Sequence, residues 1–327
     1  MVCARNYNRM ACRVVLSLTT TPVRISKIRP VLASLLAQTT RADAIILTVP
    51  LVMRRTGQAY TIPEWLTNTS DPDYLQGITV HRSQLDYGPA TKLVGALEVE
   101  SDDHTRIIYL DDDTEYDPRL VEELVKLSDA HPHSAMGYSA VCMDLQPPAG
   151  FACPLMQLFL MEPLLKQAYA QPTLLWNVPV LEGHWSVCTR RGFFNVEEFK
   201  HMMEGAPLAF FMNDDVNINA YLSSKRVPRL VVISDKLTRD QVPMKPMDYD
   251  SLSDALHKGG GNMGGGSNIA NYYACFTEFA HMPQLRMTEL VNESGLLAQQ
   301  IKQAYYMMLG SRTIDPSPPS EPPAPQT

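Results

Sequence analysis

The sequence predicts an α/β fold with a mostly parallel central sheet flanked by helices, and three observations predict it. Short apolar, β-rich runs stand at residues 13–18 (RVVLSL), 44–49 (AIILTV) and 105–110 (TRIIYL). Stretches with helical spacing of apolar residues separate them. Each run stops abruptly at Thr, Pro or Asp, which belong to loops rather than to further strand. Strand–helix alternation of this kind builds a layered fold around a parallel sheet. Ligands of such sheets sit beyond the carboxyl ends of the strands.

The elements follow in order. Residues 13–18 form a buried strand that runs into Thr19-Thr20-Thr21-Pro22. Residues 26–38 form a helix with Ile28, Val31, Leu32, Leu35 and Leu36 on one face. A second strand at 44–49 is stopped by Pro50, and a third is expected at 78–81. Residues 91–99 read as a helix, 105–110 as a strand, and 117–129 as a helix with Pro118 in its first turn. The second half is less regular. Strands are expected at 186–189 and 230–234, and helices at 210–222, 269–279 and 287–309. Residues 259–266 (GGGNMGGG) read as a flexible loop. They lack the Gly-Lys-Ser/Thr ending of a phosphate-binding P-loop, which leaves a mobile linker or a lid that orders with ligand. The predicted organisation is an N-terminal extension at 1–12, one domain at 13–310 and a Pro-rich disordered tail at 311–327. The donor half of that domain covers about 13–140 and the acceptor half about 141–310.

Bulk composition narrows the function classes. The chain has 327 residues, 45% hydrophobic and 19% charged, enough to bury a sizeable core. Its net charge is −7 and no Lys/Arg run occurs, so no nucleic-acid partner is expected. No stretch approaches the ~18 apolar residues of a membrane span. Six cysteines without CxxC spacing point to reduced thiols and a cytoplasmic location rather than a disulfide scaffold.

Asp111-Asp112-Asp113 follows the strand at 105–110 directly. Three adjacent carboxylates repel one another, and burial near a strand end is costly unless a cation compensates. Strand alternation would turn Asp111 and Asp113 one way and Asp112 the other. Two carboxylates at the ligand edge suit Mg²⁺ or Mn²⁺, which favour few protein carboxylates plus phosphate oxygens. The bland alternative is a solvated turn capping the next helix. Glu115 breaks the Asp-x-Asp-x-Thr/Val string of haloacid-dehalogenase phosphatases.

Other strings supply complementary chemistry. In Asp86-Tyr87-Gly88-Pro89-Ala90-Thr91-Lys92, Gly88-Pro89 forces a tight turn and Thr91 is placed to cap the helix that follows. Lys92 would meet phosphate at that helix start, and Asp86 a ribose or base. Thr19, Thr20 and Thr21 offer hydroxyl and backbone groups to a nucleobase, and Arg24 offers charge to phosphate. Asn213-Asp214-Asp215 is a second acidic site. One carboxylate there would take the proton of an attacking hydroxyl, Asp215 first and Asp214 second; the alternative is a helix N-cap. Glu182-Gly183-His184-Trp185 would shape an acceptor pocket, with His184 and Trp185 against the acceptor.

Together SLTTTPxR, DYGPATKL, IIYLDDDTEY and FFMNDDVNINAYL resemble GT-A-fold glycosyltransferases of the family 2-like type, within which they look closest to the rhamnosyltransferase domain of large algal viruses. The resemblance covers roughly 13–232. It implies a Rossmann-like GT-A fold, a nucleotide-diphosphate sugar donor such as a UDP- or GDP-sugar, and Mn²⁺ or Mg²⁺. It implies Asp113 on the metal, Asp111 on the metal or the ribose, and Asp112 within the same donor site. Thr20, Arg24, Asp86 and Lys92 would line the nucleotide, and Asp215 would be the base of an inverting transfer to a glycan or other hydroxyl. The transferred group would be a hexose or deoxyhexose. Two rivals remain at this stage. A nucleotidyltransferase acting on a sugar phosphate would want a Gly-rich basic loop after its first strand, which is missing here. A non-catalytic nucleotide-sugar or glycan-binding domain would not need Asp215.

Overall fold

The computed structural model describes residues 12–144, 155–157, 173–234, 245–246 and 268–308. The expected N-terminal extension (apart from residue 12), the Gly-rich segment at 259–266 and the Pro-rich tail lie outside the described residues.

In chain order the first half runs β1 (Val14–Thr19), α1 (Arg29–Leu36), β2 (Ala44–Pro50), α2 (Glu64–Thr67), β3 (Ile78–Ser83), α3 (Thr91–Val99), β4 (Arg106–Tyr109), β5 (Thr114–Glu115) and α4 (Leu120–Ala130). Next come β6 (Ala135–Gly137), β7 (Ala140–Met143), β8 (Leu155–Gln157), β9 (Thr173–Asn177), β10 (Val180–Leu181) and β11 (Val187–Arg190). The remainder is α5 (Val196–Met203), α6 (Leu208–Phe211), α7 (Asp214–Ser224), β12 (Arg229–Ser234), β13 (Lys245–Pro246), α8 (Asn268–Thr277) and α9 (Met287–Met308).

The central sheet has eight strands in the order β3-β2-β1-β4-β11-β6-β12-β9. Pairings β3–β2, β2–β1, β1–β4 and β6–β12 are parallel, and those flanking β11 and β9 are antiparallel. Six of the eight strands therefore run one way, as the α/β reading expects. The half-order 3-2-1-4 is that of a dinucleotide-type α/β sheet. From β1 the chain moves outward to β2 and β3, then returns to the other side of β1 as β4. That reversal opens a crevice at the carboxyl ends of β1 and β4, where ligands of such sheets bind.

Strand sequence decides the layering. Alternate residues of β1, β2 and β4 face opposite sides. Val15, Ile46 and Ile107 join one cluster with Leu93, Val94 and Leu97 of α3 and with residues of α5 to α9. Leu16, Ile45, Leu47 and Ile108 join the other with Val31, Leu32 and Leu35 of α1 and Leu120, Val121 and Leu124 of α4. Burial on both faces explains why these strands read as continuous apolar runs. Each fully buried Leu or Ile contributes about 1.5–3 kcal/mol.

Several boundaries differ from the sequence expectation, each for a local reason. The helix expected from 117 begins at Leu120. Asp117 Oδ1 instead accepts from the Arg119 N–H at 2.7 Å, and the Pro118 carbonyl accepts from Thr39 N–H, so Pro118 precedes the helix. The helix expected at 210–222 is two helices, α6 and α7. They break at Met212-Asn213 because Asn213 caps α7, its side chain accepting from the Val216 N–H. β11 enters as an antiparallel strand between β4 and β6, a direction that the tetrapeptide Val-Cys-Thr-Arg does not encode.

Candidate active site

β4 ends at Tyr109, so the acidic triplet is loop and strand alternation does not govern it. Asp111 and Asp112 pair with different cations. Asp111 pairs with Lys92 Nζ. Asp112 is buried; its Oδ2 accepts from Thr20 Oγ1 at 2.6 Å and its Oδ1 from Arg24 at 2.8 Å. Asp113 is the open one, its side chain 37% exposed, with Arg24 Nη1 3.7 Å away. Arg24 thus sits between Asp112 and Asp113, and Asp112 does not turn away alone. Tyr116 fixes the start of the loop. Its hydroxyl accepts from Asp111 N–H at 2.9 Å and donates to the Asp111 carbonyl at 3.1 Å.

The β1 loop and the DYGPATK turn act mainly on the protein itself. Thr19 Oγ1 donates to the Thr48 carbonyl, and the Thr21 carbonyl accepts from the N–H groups of Arg24 and Ile25. Thr20 and Arg24, expected on the nucleotide, hold Asp112. Asp86 accepts from the N–H groups of Arg54 and Gly88 and from Thr91 Oγ1. Thr91 is not a cap: it lies inside α3, which has no side-chain cap, and its Oγ1 accepts from Tyr87 N–H. Gly88 is required where it stands. Its φ is +61°, and a Cβ there would meet the Phe211 carbonyl at 2.8 Å.

Lys92 is the hub. It lies in the first turn of α3, whose position is pinned by Ser17 Oγ donating to the Lys92 carbonyl. Its side chain is 3% exposed and its Nζ lies 2.6 Å from Asp214 as well as against Asp111. Burial works against the ammonium, but Asp111, Asp214 and Asp215 outweigh it and hold its pKa well above the ordinary lysine value. The lysine expected to face phosphate is thus charge-paired between two acidic segments about a hundred residues apart in sequence.

The Asn213-Asp214-Asp215 segment and the Gly183 turn converge on the same lysine. Asp214 and Asp215 open α7, with Asn213 rather than either aspartate as the cap. Asp215 Oδ1 accepts from Gly183 N–H at 2.7 Å, and Oδ2 from the Tyr272 hydroxyl at 3.2 Å. Gly183 begins a 3-10 turn through Trp185, and a Cβ on it would meet Lys92 Nζ at 2.9 Å. The turn ends on Ser186, a buried non-glycine residue at φ 75°. His184 and Trp185 are half-buried, ring centroids 5.9 Å apart. Trp185 leans on the core of the α1–α4 face. His184 lies close enough to help hold the Asp111 carboxyl down, although burial and Lys92 act on it more strongly.

The electrostatics are unbalanced. Asp111, Asp112, Asp113, Asp214, Asp215 and Glu182 gather around two permanent cations, Lys92 and Arg24. Partial desolvation among its neighbours, with the charges of Asp111 and Asp112 adding to it, pushes the Asp113 carboxyl up to about 7 even though one side of the group stays open. Burial also raises Asp215 well above the ordinary range, with Asp214 and Glu182 reinforcing it. Unrelieved negative charge centred on an open carboxylate fits a divalent cation. Among the described residues no group of three or more His, Cys, Asp or Glu is arranged to hold a metal. Mg²⁺ and Mn²⁺ are commonly held by one or two protein carboxylates together with phosphate oxygens. Three contributors were not singled out from the sequence: Tyr116, Tyr272 and Tyr109, which is buried beside Lys92 with its pKa raised by burial and Asp215. Aromatics at helical or strand spacing read as core, and only the fold reveals their polar ends.

No protein-family model matches the chain, and no curated protein matches it in sequence. Solved structures similar to it include GalNAc-T7 with UDP, GalNAc and Mn²⁺, at a TM-score of 0.47 and 14% identity over 69% of this chain and 43% of that one. S. aureus TarS matches at 0.40 and 13% over 68% of this chain and 35% of that one. Residues 1–349 of S. aureus TarS in complex with UDP match at 0.39 and 12%, over 70% and 59%. The chain thus spans about 35–59% of those lengths. At such scores the likeness adds nothing to what the chain's own topology shows. No helix among the described residues is long and apolar enough to cross a membrane, and Cys12, Cys142, Cys188 and Cys275 are free thiols.

Proposed function

We propose that the chain is a metal-dependent glycosyltransferase of the GT-A type. It moves a hexosyl or deoxyhexosyl group from a UDP- or GDP-sugar to a hydroxyl acceptor, with inversion. One observation carries this reading: Lys92 joins Asp111, at the carboxyl end of β4, to Asp214, beside Asp215, at the sheet's switch point. A bare metal site needs no second acidic pair, and a helix cap needs no buried lysine. In this reading residues 13–310 are one domain, with a donor half at about 13–140 and an acceptor half beyond it.

Asp113 and Asp111 would hold Mn²⁺ or Mg²⁺ together with diphosphate oxygens. When bound, the ion supplies Lewis-acid neutralisation of the charge on the departing nucleotide. Asp112, held by Thr20 and Arg24, sets the shape of the loop rather than touching the ion. Lys92 holds Asp111 and Asp214 close, and its charge helps keep the Asp111 carboxyl below the ordinary range against burial. Asp215 takes the proton from the acceptor hydroxyl; its burial raises its basicity toward the useful range. Asp214, charge-paired to Lys92, is the less available of the two. A single base suffices for inversion, since nothing covalent has to form on the protein. His184 and Trp185 flank the same turn and would border the acceptor.

The test is nucleotide release from a nucleotide sugar, with and without Mn²⁺, for wild type and Asp113→Ala. Release should require the metal and fall by about 100-fold or more in the variant. Metal-independent turnover unaffected by Asp113→Ala would sink the reading. Pyrophosphate formed with a sugar phosphate would identify a nucleotidyltransferase, and donor binding without product a binding domain.

A further inference from the structure

Asp215 has one contact supplied from outside every motif considered so far. α8, in the C-terminal part of the chain, carries Tyr272, which is 3% exposed and packed in the core cluster that holds Phe210, Val216 and Tyr221. Its hydroxyl donates to Asp215 Oδ2 at 3.2 Å while Gly183 N–H donates to Oδ1 at 2.7 Å. The charged and titratable groups facing Asp215 are Asp214, Glu182, Lys92, Tyr109 and Tyr272. Of these, Tyr272 alone gives it a side-chain hydrogen bond.

Two donors on two different oxygens fix both the position and the rotation of the carboxylate. Each oxygen keeps a second lone pair for an incoming hydroxyl. The phenol stays protonated beside the carboxylate, because burial and Asp215 raise its pKa well above the ordinary tyrosine value. Donation to the charged form favours the anion and opposes the cost of burial. α8 packs on α6 and on α9, and α9 packs on α7, so the tyrosine rides on a helix braced through its neighbours against the element that carries Asp215.

We propose that Tyr272 is a positioning residue for Asp215, which makes the C-terminal helices part of the catalytic side of the site. The inference rests on the reading of Asp215 as the base. The chemistry assigned to Tyr272 is orientation and hydrogen bonding; it exchanges no proton with substrate.

The test separates the contact from the catalysis. Protein carrying ¹³C-labelled aspartate carboxyls is titrated by NMR, with Asp215 assigned from Asp215→Asn. Tyr272→Phe keeps the ring and the packing and should move the Asp215 titration upward by about one unit. Fluorotyrosine at position 272, a stronger donor that leaves no cavity, should move it downward. In transfer assays the acid limb of kcat/KM should shift the same way, with kcat lowered and the donor KM unchanged. An unmoved titration in both variants overturns the proposal. A titration that moves in a protein showing no sugar transfer supports the contact and refutes the base reading instead.

Discussion

Lys92 is an ammonium out of contact with water, and its charge is tolerated only because Asp111 and Asp214 lie against it. Removing one member of a buried charge set leaves the rest uncompensated, at about 3–5 kcal/mol. Lys92→Met should therefore lower the unfolding free energy by about that amount in urea melts, and adding Asp111→Asn and Asp214→Asn should recover part of it. Glu198 gives a pH test away from the site. A hydrogen bond from Lys225, then ones from Arg286 and Tyr221, hold its carboxyl down to about 2. A depressed carboxylate pKa contributes stability above the unfolded value, and that contribution is lost as pH falls through the folded one. Glu198→Gln should melt lower than wild type at pH 7, and the gap should close between about pH 4.5 and 2. At this scale the acidic residues were legible in the sequence, because carboxylates abutting an apolar run have few structural uses. Their partners were not. Whether Arg24 meets phosphate or Asp112 depends on how the β1 loop folds back toward β4, and nothing within either segment says so.

At the scale of elements, the turn into α3 and the start of α7 decide how Lys92 meets Asp214. Gly88 holds a left-handed conformation against the Phe211 carbonyl, so Gly88→Ala combines backbone strain with a clash. It should cost about 1–3 kcal/mol and, by shifting α3, displace Lys92. Asn213→Ala removes the cap that sets α7 and should cost about 1 kcal/mol. Both effects are read from chemical denaturation. The long apolar runs foretold β1, β2 and α1 because two-sided burial and a single helical stripe each leave a clear pattern. Boundaries moved where tertiary contacts took over: Asn213 splitting the helix expected at 210–222, and Asp117 turning the chain before α4. The reversed direction of β11 was not legible, since parallel and antiparallel strands of four residues look alike.

Across the whole molecule, the sheet's switch point and the C-terminal helices close on one acidic centre. α9 is fastened to the edge of β7: Ser294 Oγ accepts from Met143 N–H at 2.6 Å and donates to its carbonyl, and Lys302 pairs with Asp144. Ser294→Ala would leave a buried N–H unsatisfied and cost about 1–3 kcal/mol. The N-terminal half of the sheet was legible because its motifs fall at strand ends of a recognisable alternation. The contact from the C-terminal helices was not, since Tyr272 reaches Asp215 only after two helices pack. In the proposed function these parts form one metal-dependent nucleotide-sugar site. Its most direct test is the melting temperature of the protein with a panel of nucleotide sugars, with and without Mn²⁺. A donor at 100 times its Kd should stabilise the fold by about 2.7 kcal/mol. The predicted result is a rise in melting temperature for at least one UDP- or GDP-sugar, present only with Mn²⁺ and absent in Asp113→Ala. No rise with any member of the panel, or an equal rise without metal and in Asp113→Ala, would contradict it.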